Sequence, residues 1–191
     1  MCPREAADDK IHTGPGACHG GWWFEPVASA LREARHEARA VTLAGLEPAD
    51  PPAPAANLDS RIGEVLELLD SGGGQAVLVG HSYAGSVITG VADHRPSQVA
   101  ALLYLDAFVP DDGDSCWSMT NDEQREWYSG ASGATGLGVA PLPFFDRRAR
   151  PHPLGTFMQK SKLTGAYKTS SESITSPPRP PTGSRTRPSP A

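Results

Sequence analysis

The chain has 191 residues, 38% of them hydrophobic, and its 17 basic and 22 acidic residues leave a net charge of −5. That is room for one domain with a moderate core, and the acidic balance argues against nucleic acid as a partner. Cys2, Cys18 and Cys116 are too few and too scattered for a disulfide framework or a thiolate metal cluster. No apolar run approaches membrane-spanning length and the charged N-terminus lacks a signal-peptide core, so no membrane partner and a reduced, cytoplasmic setting are expected.

In chain order, residues 1–15 read as an irregular N-terminus, polar and charged around Ile11. A helix is predicted over Glu25–Arg35, where Val27, Ala28, Leu31 and Ala34 recur at helical spacing, and a strand over Glu37–Leu43. Leu58–Asp70 is the clearest helix: Ile62, Val65, Leu66 and Leu69 share a face, Asn57 or Asp59 can cap it, and Gly72-Gly73-Gly74 ends it. Buried strands follow at Ala76–Val79 and Val99–Leu105, with a helix between them. This alternation predicts an α/β fold with a mostly parallel sheet flanked by helices. A short helix is predicted over Asn121–Tyr128, within a segment where strands are no longer evident. Residues 168–191 hold six prolines and six serines with Ile174 as the one large apolar side chain, a composition that predicts disorder. The expected division is core 16–110, cap 111–167 and disordered tail 168–191.

Gly80-His81-Ser82-Tyr83-Ala84-Gly85 joins the third predicted strand to its helix. A serine on such a strand-to-helix turn projects its hydroxyl beyond the sheet edge, as in the G-x-S-x-G nucleophile elbow. Ala84 stands where that pattern has its last glycine, and alanine is the next smallest side chain. The same letters approximate the dinucleotide fingerprint G-x-G-x-x-G, with Asp106 placed 21 residues beyond Gly85 as a ribose-binding carboxylate would be. Against that reading, Ser82 puts a side chain where the fingerprint needs bare backbone.

Three segments in order, Gly16-Ala-Cys-His-Gly-Gly-Trp-Trp-Phe24, Val79-Gly-His-Ser-Tyr-Ala-Gly85 and Leu103-Tyr-Leu-Asp-Ala-Phe-Val-Pro110, resemble one branch of the α/β-hydrolases. That branch holds plant methyl-salicylate esterases, hydroxynitrile lyases and similar bacterial esterases. The resemblance covers roughly residues 16–167 and implies an α/β-hydrolase fold with a partial cap. It implies Ser82 as nucleophile, the backbone N–H groups of Ala17 and Tyr83 as the oxyanion hole, a small carboxylic ester as substrate, and no cofactor or metal. Hydroxynitrile-lyase-like proton transfer, or a binding protein that keeps the pocket without the chemistry, are the alternatives.

The sequence departs from the family in three ways. Pro15 stands where the family has a histidine, and no apolar strand is visible upstream of it, so the fold is expected to be incomplete, lacking a central strand. The aspartate and histidine that complete the family's triad have no matching segment, so impaired activity is expected. The change of composition past Tyr167 is what a truncated gene or shifted reading frame would produce. Among substitutes, Asp106 is the candidate acid, although a turn carboxylate also fits it. Cys18 reads as a small buried side chain, and His19 either contacts substrate or bonds backbone. His81 points away from the reacting side, His94 lies on the surface, and His152 reaches Ser82 only if the cap folds back. Trp22, Trp23, Phe108, Trp117, Trp127 and Tyr128 are candidates to line an apolar pocket.

Overall fold

The computed structural model describes residues 10–48, 56–130 and 137–169, and the backbone of 173–175. Strand β1 (Lys10–Gly14) opens it and is followed by α1 (Glu25–Glu33), whose Pro26 sits in the first turn where an N–H is not needed. β2 (Glu37–Ala40) is shorter than the alternation predicts. α2 (Leu58–Gly72) buries Leu58, Ile62, Val65 and Leu69 on one face. Asn57 is its cap: the Asn57 side chain accepts from the Ser60 N–H at 2.8 Å, and Ser60 Oγ accepts from the Asn57 N–H at 3.0 Å. Gly73, at φ 63°, follows its last turn.

β3 (Ala76–His81), α3 (Ala84–His94) and β4 (Val99–Leu105) follow. Beyond β4 come α4 (Cys116–Met119), α5 (Asp122–Gly130), the antiparallel pair β5 (Gly138–Val139) and β6 (His152–Pro153), α6 (Leu154–Met158) and β7 (Ser173–Thr175). The sheet order is β2-β1-β3-β4-β7, every neighbour parallel.

Two expectations are corrected. Residues 10–14 are not irregular: β1 occupies the inside of the sheet, Gly14 pairing with Gly80 on one side and Thr13 with Ala40 on the other. The strand escaped a hydrophobicity search because His12 and Thr13 are its buried residues. The backbone ladders on both sides hold it, not a run of large apolar side chains. The tail also begins with structure. Ala166–Thr169 forms a 3₁₀ turn, and β7 pairs with Leu102–Tyr104. Residues 170–172 and 176–191 lie outside the described residues.

The core lies between the sheet and α2 and α3, where Leu78, Val87, Val91 and Leu102 are almost fully buried. Burying each such side chain contributes about 1.5–3 kcal/mol. The two helices approach closely because Gly90 has no side chain: a Cβ there would stand 2.3 Å from Ile62 Cδ1. No helix among the described residues is long and apolar enough to cross a membrane. The pairing of Gly14 with Gly80 and of Gly80 with Tyr104 brings the ends of β1, β3 and β4 to one edge. This carboxyl edge is where open parallel sheets place their ligands.

Candidate active site

Ser82 lies between β3 and α3 with φ 51°, a left-handed conformation that costs a non-glycine residue about 1–2 kcal/mol. Its neighbours hold it there. The Ser82 N–H donates to Leu105 O at 3.3 Å, and Ser82 O accepts from the N–H groups of Gly85 and Phe108, each at 3.1 Å. Gly85 is needed at its position because a Cβ would stand 2.2 Å from Phe108 O. Ala84 is tolerated because it faces Gly14, whose absent Cβ would lie 3.0 Å from Ala84 Cβ.

The loop after β1 packs directly on this turn. A Cβ on Gly16 would stand 3.0 Å from Ser82 Cβ and 2.8 Å from His81 Nδ1. Ala17 therefore comes within one residue of the serine's backbone neighbourhood, and Tyr83 adjoins the serine in sequence. Neither the Ala17 N–H nor the Tyr83 N–H has a protein acceptor among the described residues. Unpaired backbone donors of this kind are chemically able to receive an oxyanion that develops beside them.

Asp106, exposed and at φ 45°, directly follows β4, one residue past the Leu105 carbonyl that holds Ser82. The nearest histidine in sequence, His81, has a buried Nδ1 with no hydrogen-bond partner among the described residues. Burial lowers its pKa, opposed by the charge of Asp106 and reinforced by His19. Its ring stacks on Trp23 at 6.4 Å and meets Phe24 edge-on at 6.5 Å. His94 is exposed at the far end of α3, its Nδ1 2.8 Å from Gly90 O.

His152 does not reach Ser82 by hydrogen bond. It is fully buried, accepting at Nδ1 from the Cys18 N–H at 3.1 Å, with Arg61 Nη1 3.0 Å from Nε2. Burial, then the charges of Arg61 and His19, push its pKa well below 6.5. His19 takes the backbone-bonding role foreseen as one of its two readings, its Nδ1 lying 2.7 Å from Ala17 O. Burial lowers its pKa as well, against the Ala17 carbonyl and Asp146, which raise it. Cys18 is completely buried and its thiol is pushed up to about 12 by that burial, so it is no nucleophile at neutral pH.

The six aromatic side chains split into two groups. Tyr128 belongs to the core, with Phe108, Trp117 and Trp127 packed against it. Trp22 and Trp23 surround His19, at 5.3 and 4.4 Å between ring centroids. Phe145 bridges the groups, 4.7 Å from His19 and 6.3 Å from Trp127. The sequence reading missed both Phe145 and Arg61. Arg61 was detectable as the one charge inside the apolar stripe Leu58–Ile62–Val65 of α2. No group of three metal-ligating side chains suited to a metal occurs among the described residues.

A five-stranded parallel sheet with a left-handed serine between the third strand and its helix defines the chain as an α/β-hydrolase. The sequence model of the alpha/beta hydrolase family matches residues 15–190, and the chain belongs to that family. A carbendazim hydrolyzing esterase of Nocardioides sp. (strain SG-4G) is 42% identical over 106 residues, 54% of this chain and 44% of that protein. Methylesterase 7 of Arabidopsis thaliana is 34% identical over 100 residues, 50% of this chain and 38% of the plant protein. The chain thus spans less than half the length of these curated relatives. In fold it is similar to an extracellular α/β-hydrolase from a Paenibacillus species, with TM-score 0.74 and 21% identity, over 84% of this chain and 73% of that one. Bacterial esterases and plant methylesterases are among its relatives, as the three sequence segments implied.

Proposed function

We propose that the chain is an esterase of small carboxylic esters in which Ser82 forms an acyl-enzyme. Ser82 attacks the ester carbonyl, the N–H groups of Ala17 and Tyr83 receive the developing oxyanion, and the alcohol leaves. Water then releases the acid. The observation that carries this reading is the left-handed Ser82 held against the Gly16 backbone. The rings of Trp23 and Phe145 beside His19 favour an ester with a flat apolar or aromatic part, and residues 111–167 act as a cap. His81 adjoins the serine in sequence, and Asp106, the candidate acid, acts on His81 through its charge. No histidine is hydrogen-bonded to Ser82 among the described residues, so turnover is slow, at the roughly 10³–10⁴-fold acceleration that oxyanion donors and binding supply without a complete triad.

The test is labelling of the whole chain with a fluorophosphonate, alongside hydrolysis of 4-nitrophenyl acetate. Labelling that is lost in Ser82→Ala supports the reading. A folded chain that neither labels nor hydrolyses the ester makes the fold a non-catalytic one here.

A further inference from the structure

One peptide unit beside Ser82 is gripped at both ends. The carbonyl of Ala17 accepts from His19 Nδ1 at 2.7 Å, and the N–H of Cys18, the other end of the same peptide, donates to His152 Nδ1 at 3.1 Å. A carbonyl only accepts, so His19 carries its proton on Nδ1. An N–H only donates, and so does a guanidinium, so the Cys18 N–H at Nδ1 and Arg61 Nη1 at Nε2, 3.0 Å away, compete for the one lone pair of the neutral His152 ring. Arg61 has Ala44 O as another acceptor, reached from Nε and Nη2 at 3.1 and 2.8 Å, and the clamp takes Nδ1 as the bare nitrogen. The Cys18 N–H has no acceptor besides His152 among the described residues.

The gripped peptide is the middle of a turn. The His19 N–H donates to Gly16 O at 3.3 Å, closing the turn Gly16-Ala17-Cys18-His19, and Cys18 sits at φ 66°. A left-handed third residue under an ordinary second one is the type II form, which normally calls for glycine there. With cysteine in that place the strain is about 1–2 kcal/mol, and rotation of the central peptide to the type I form would relieve it. Two hydrogen bonds to that peptide, running in series from ring to carbonyl to N–H to ring, oppose the rotation.

We propose that His19 and His152 are positioning residues for the Ala17 N–H, clamping the Ala17–Cys18 peptide so that the loop against Ser82 keeps a single conformation. The proposal rests on the esterase reading for its effect on rate, whereas the clamp itself is a structural claim that stands or falls separately. His152 comes from β6, 134 residues beyond Cys18, so the clamp ties the oxyanion loop to the segment over it. His152 faces Arg61 from α2, Tyr83 at the head of α3 and Phe157 from α6, and His19 faces Trp22, Trp23 and Phe145 together with the charge of Asp146.

The test uses the intact chain and its His152→Phe and His152→Gln variants. Phenylalanine keeps the ring volume without an acceptor, and glutamine restores an acceptor oxygen. Expected are a bare Nδ1 on His152 in ¹⁵N spectra, a Cys18 amide protected from exchange, and loss of that protection in His152→Phe while the β3 amides stay protected. In the same variant kcat on 4-nitrophenyl acetate falls roughly 10- to 100-fold with KM little changed, as for a small misplacement of a reacting group, and His152→Gln recovers most of the loss. Unchanged Cys18 protection and kcat in His152→Phe would overturn the clamp. Should that variant unfold, a proton found on Nδ1 of His152 in the unsubstituted chain overturns it instead. A chain that hydrolyses no ester removes the esterase reading, and the amide and ¹⁵N measurements still decide the clamp.

Discussion

Arg61 and His152 meet in the interior with Nη1 and Nε2 3.0 Å apart, and neither side chain is reached by solvent. No carboxylate forms an ion pair with Arg61 among the described residues. The guanidinium instead donates twice to Ala44 O and lies 5.0 Å from the Tyr83 ring. A buried cation of this kind holds every ionisable neighbour in the form that adds no positive charge. It joins burial in keeping His152 neutral, and it works against the burial that pushes the Tyr83 hydroxyl up to about 12.

The first prediction concerns acid. His12, His19, His81 and His152 all have folded pKa values below 6.5, with burial the largest cause in each. The unfolded chain therefore binds more protons than the folded one once the pH drops beneath that value. Stability is full above about pH 6.5 and declines as the pH falls, by up to about 1.4 kcal/mol per pH unit for each histidine. Urea midpoints at pH 7.5, 6.5 and 5.5 should decrease in that order, and a flat profile would contradict the burial of these rings.

A second prediction separates strain from chemistry at Ser82. Both Ser82→Ala and Ser82→Gly abolish fluorophosphonate labelling, but only glycine accepts φ 51° without strain. The glycine variant should be more stable than the alanine variant by about 1 kcal/mol, read from denaturant midpoints at equal m. Equal stability would mean that Ser82 is not held in the left-handed conformation.

The close approach of two loops supplies the third. A methyl group on Gly85 would meet the Phe108 carbonyl and one on Gly16 would meet Ser82 and His81, so backbone or buried groups must shift in both cases. Gly85→Ala and Gly16→Ala should each cost about 1–3 kcal/mol of stability. Gly63→Ala in α2, where a Cβ meets nothing within 4 Å among the described residues, is the control and should not lower the thermal midpoint.

The fourth involves Asp93, which ties the end of α3 to the chain leading into β7. Its Oδ2 accepts from the Thr164 N–H at 2.7 Å and hydroxyl at 3.1 Å, and its Oδ1 from the Tyr167 N–H at 3.2 Å. Burial acts to raise its pKa, yet these bonds together bring it below 3.8. A carboxylate lowered on folding adds stability that is complete above its ordinary value and lost as the pH falls through its folded one. Asp93→Asn should therefore destabilise by about 1.5–3 kcal/mol at pH 7 and by less near pH 3, because the parent has then lost part of the same contribution.

Much of the sheet was legible where side-chain patterns report burial. β3 and β4 announce themselves as apolar runs, and α2 carries its cap, its stripe and its glycine terminator within seventeen residues. β1 was invisible for a physical reason: an inner strand of a parallel sheet is held by two backbone ladders, and those ladders read no side chains. β7, an edge strand paired on one side, was hidden in Ser-Ile-Thr within a proline-rich tail. At the candidate site Ser82 was readable from its local motif, because a tight turn dictates its own residue types, whereas Ala17 and Tyr83 were named only through the family resemblance. His152 was read as a cap residue with little prospect of approaching the site, and Arg61 and Phe145 were not singled out, since their significance comes from partners remote in sequence.

By itself the sequence determined the family, the serine turn and the alternation of α1, β2, α2, β3, α3 and β4, all properties of residues near one another along the chain. Tertiary structure alone decided that a polar N-terminal segment completes the sheet, that Arg61 is buried against a histidine 91 residues away, and that two rings grip one peptide beside Ser82. Such contacts depend on where parallel crossovers deliver the chain, and backbone hydrogen bonds place no demand on the letters that make them.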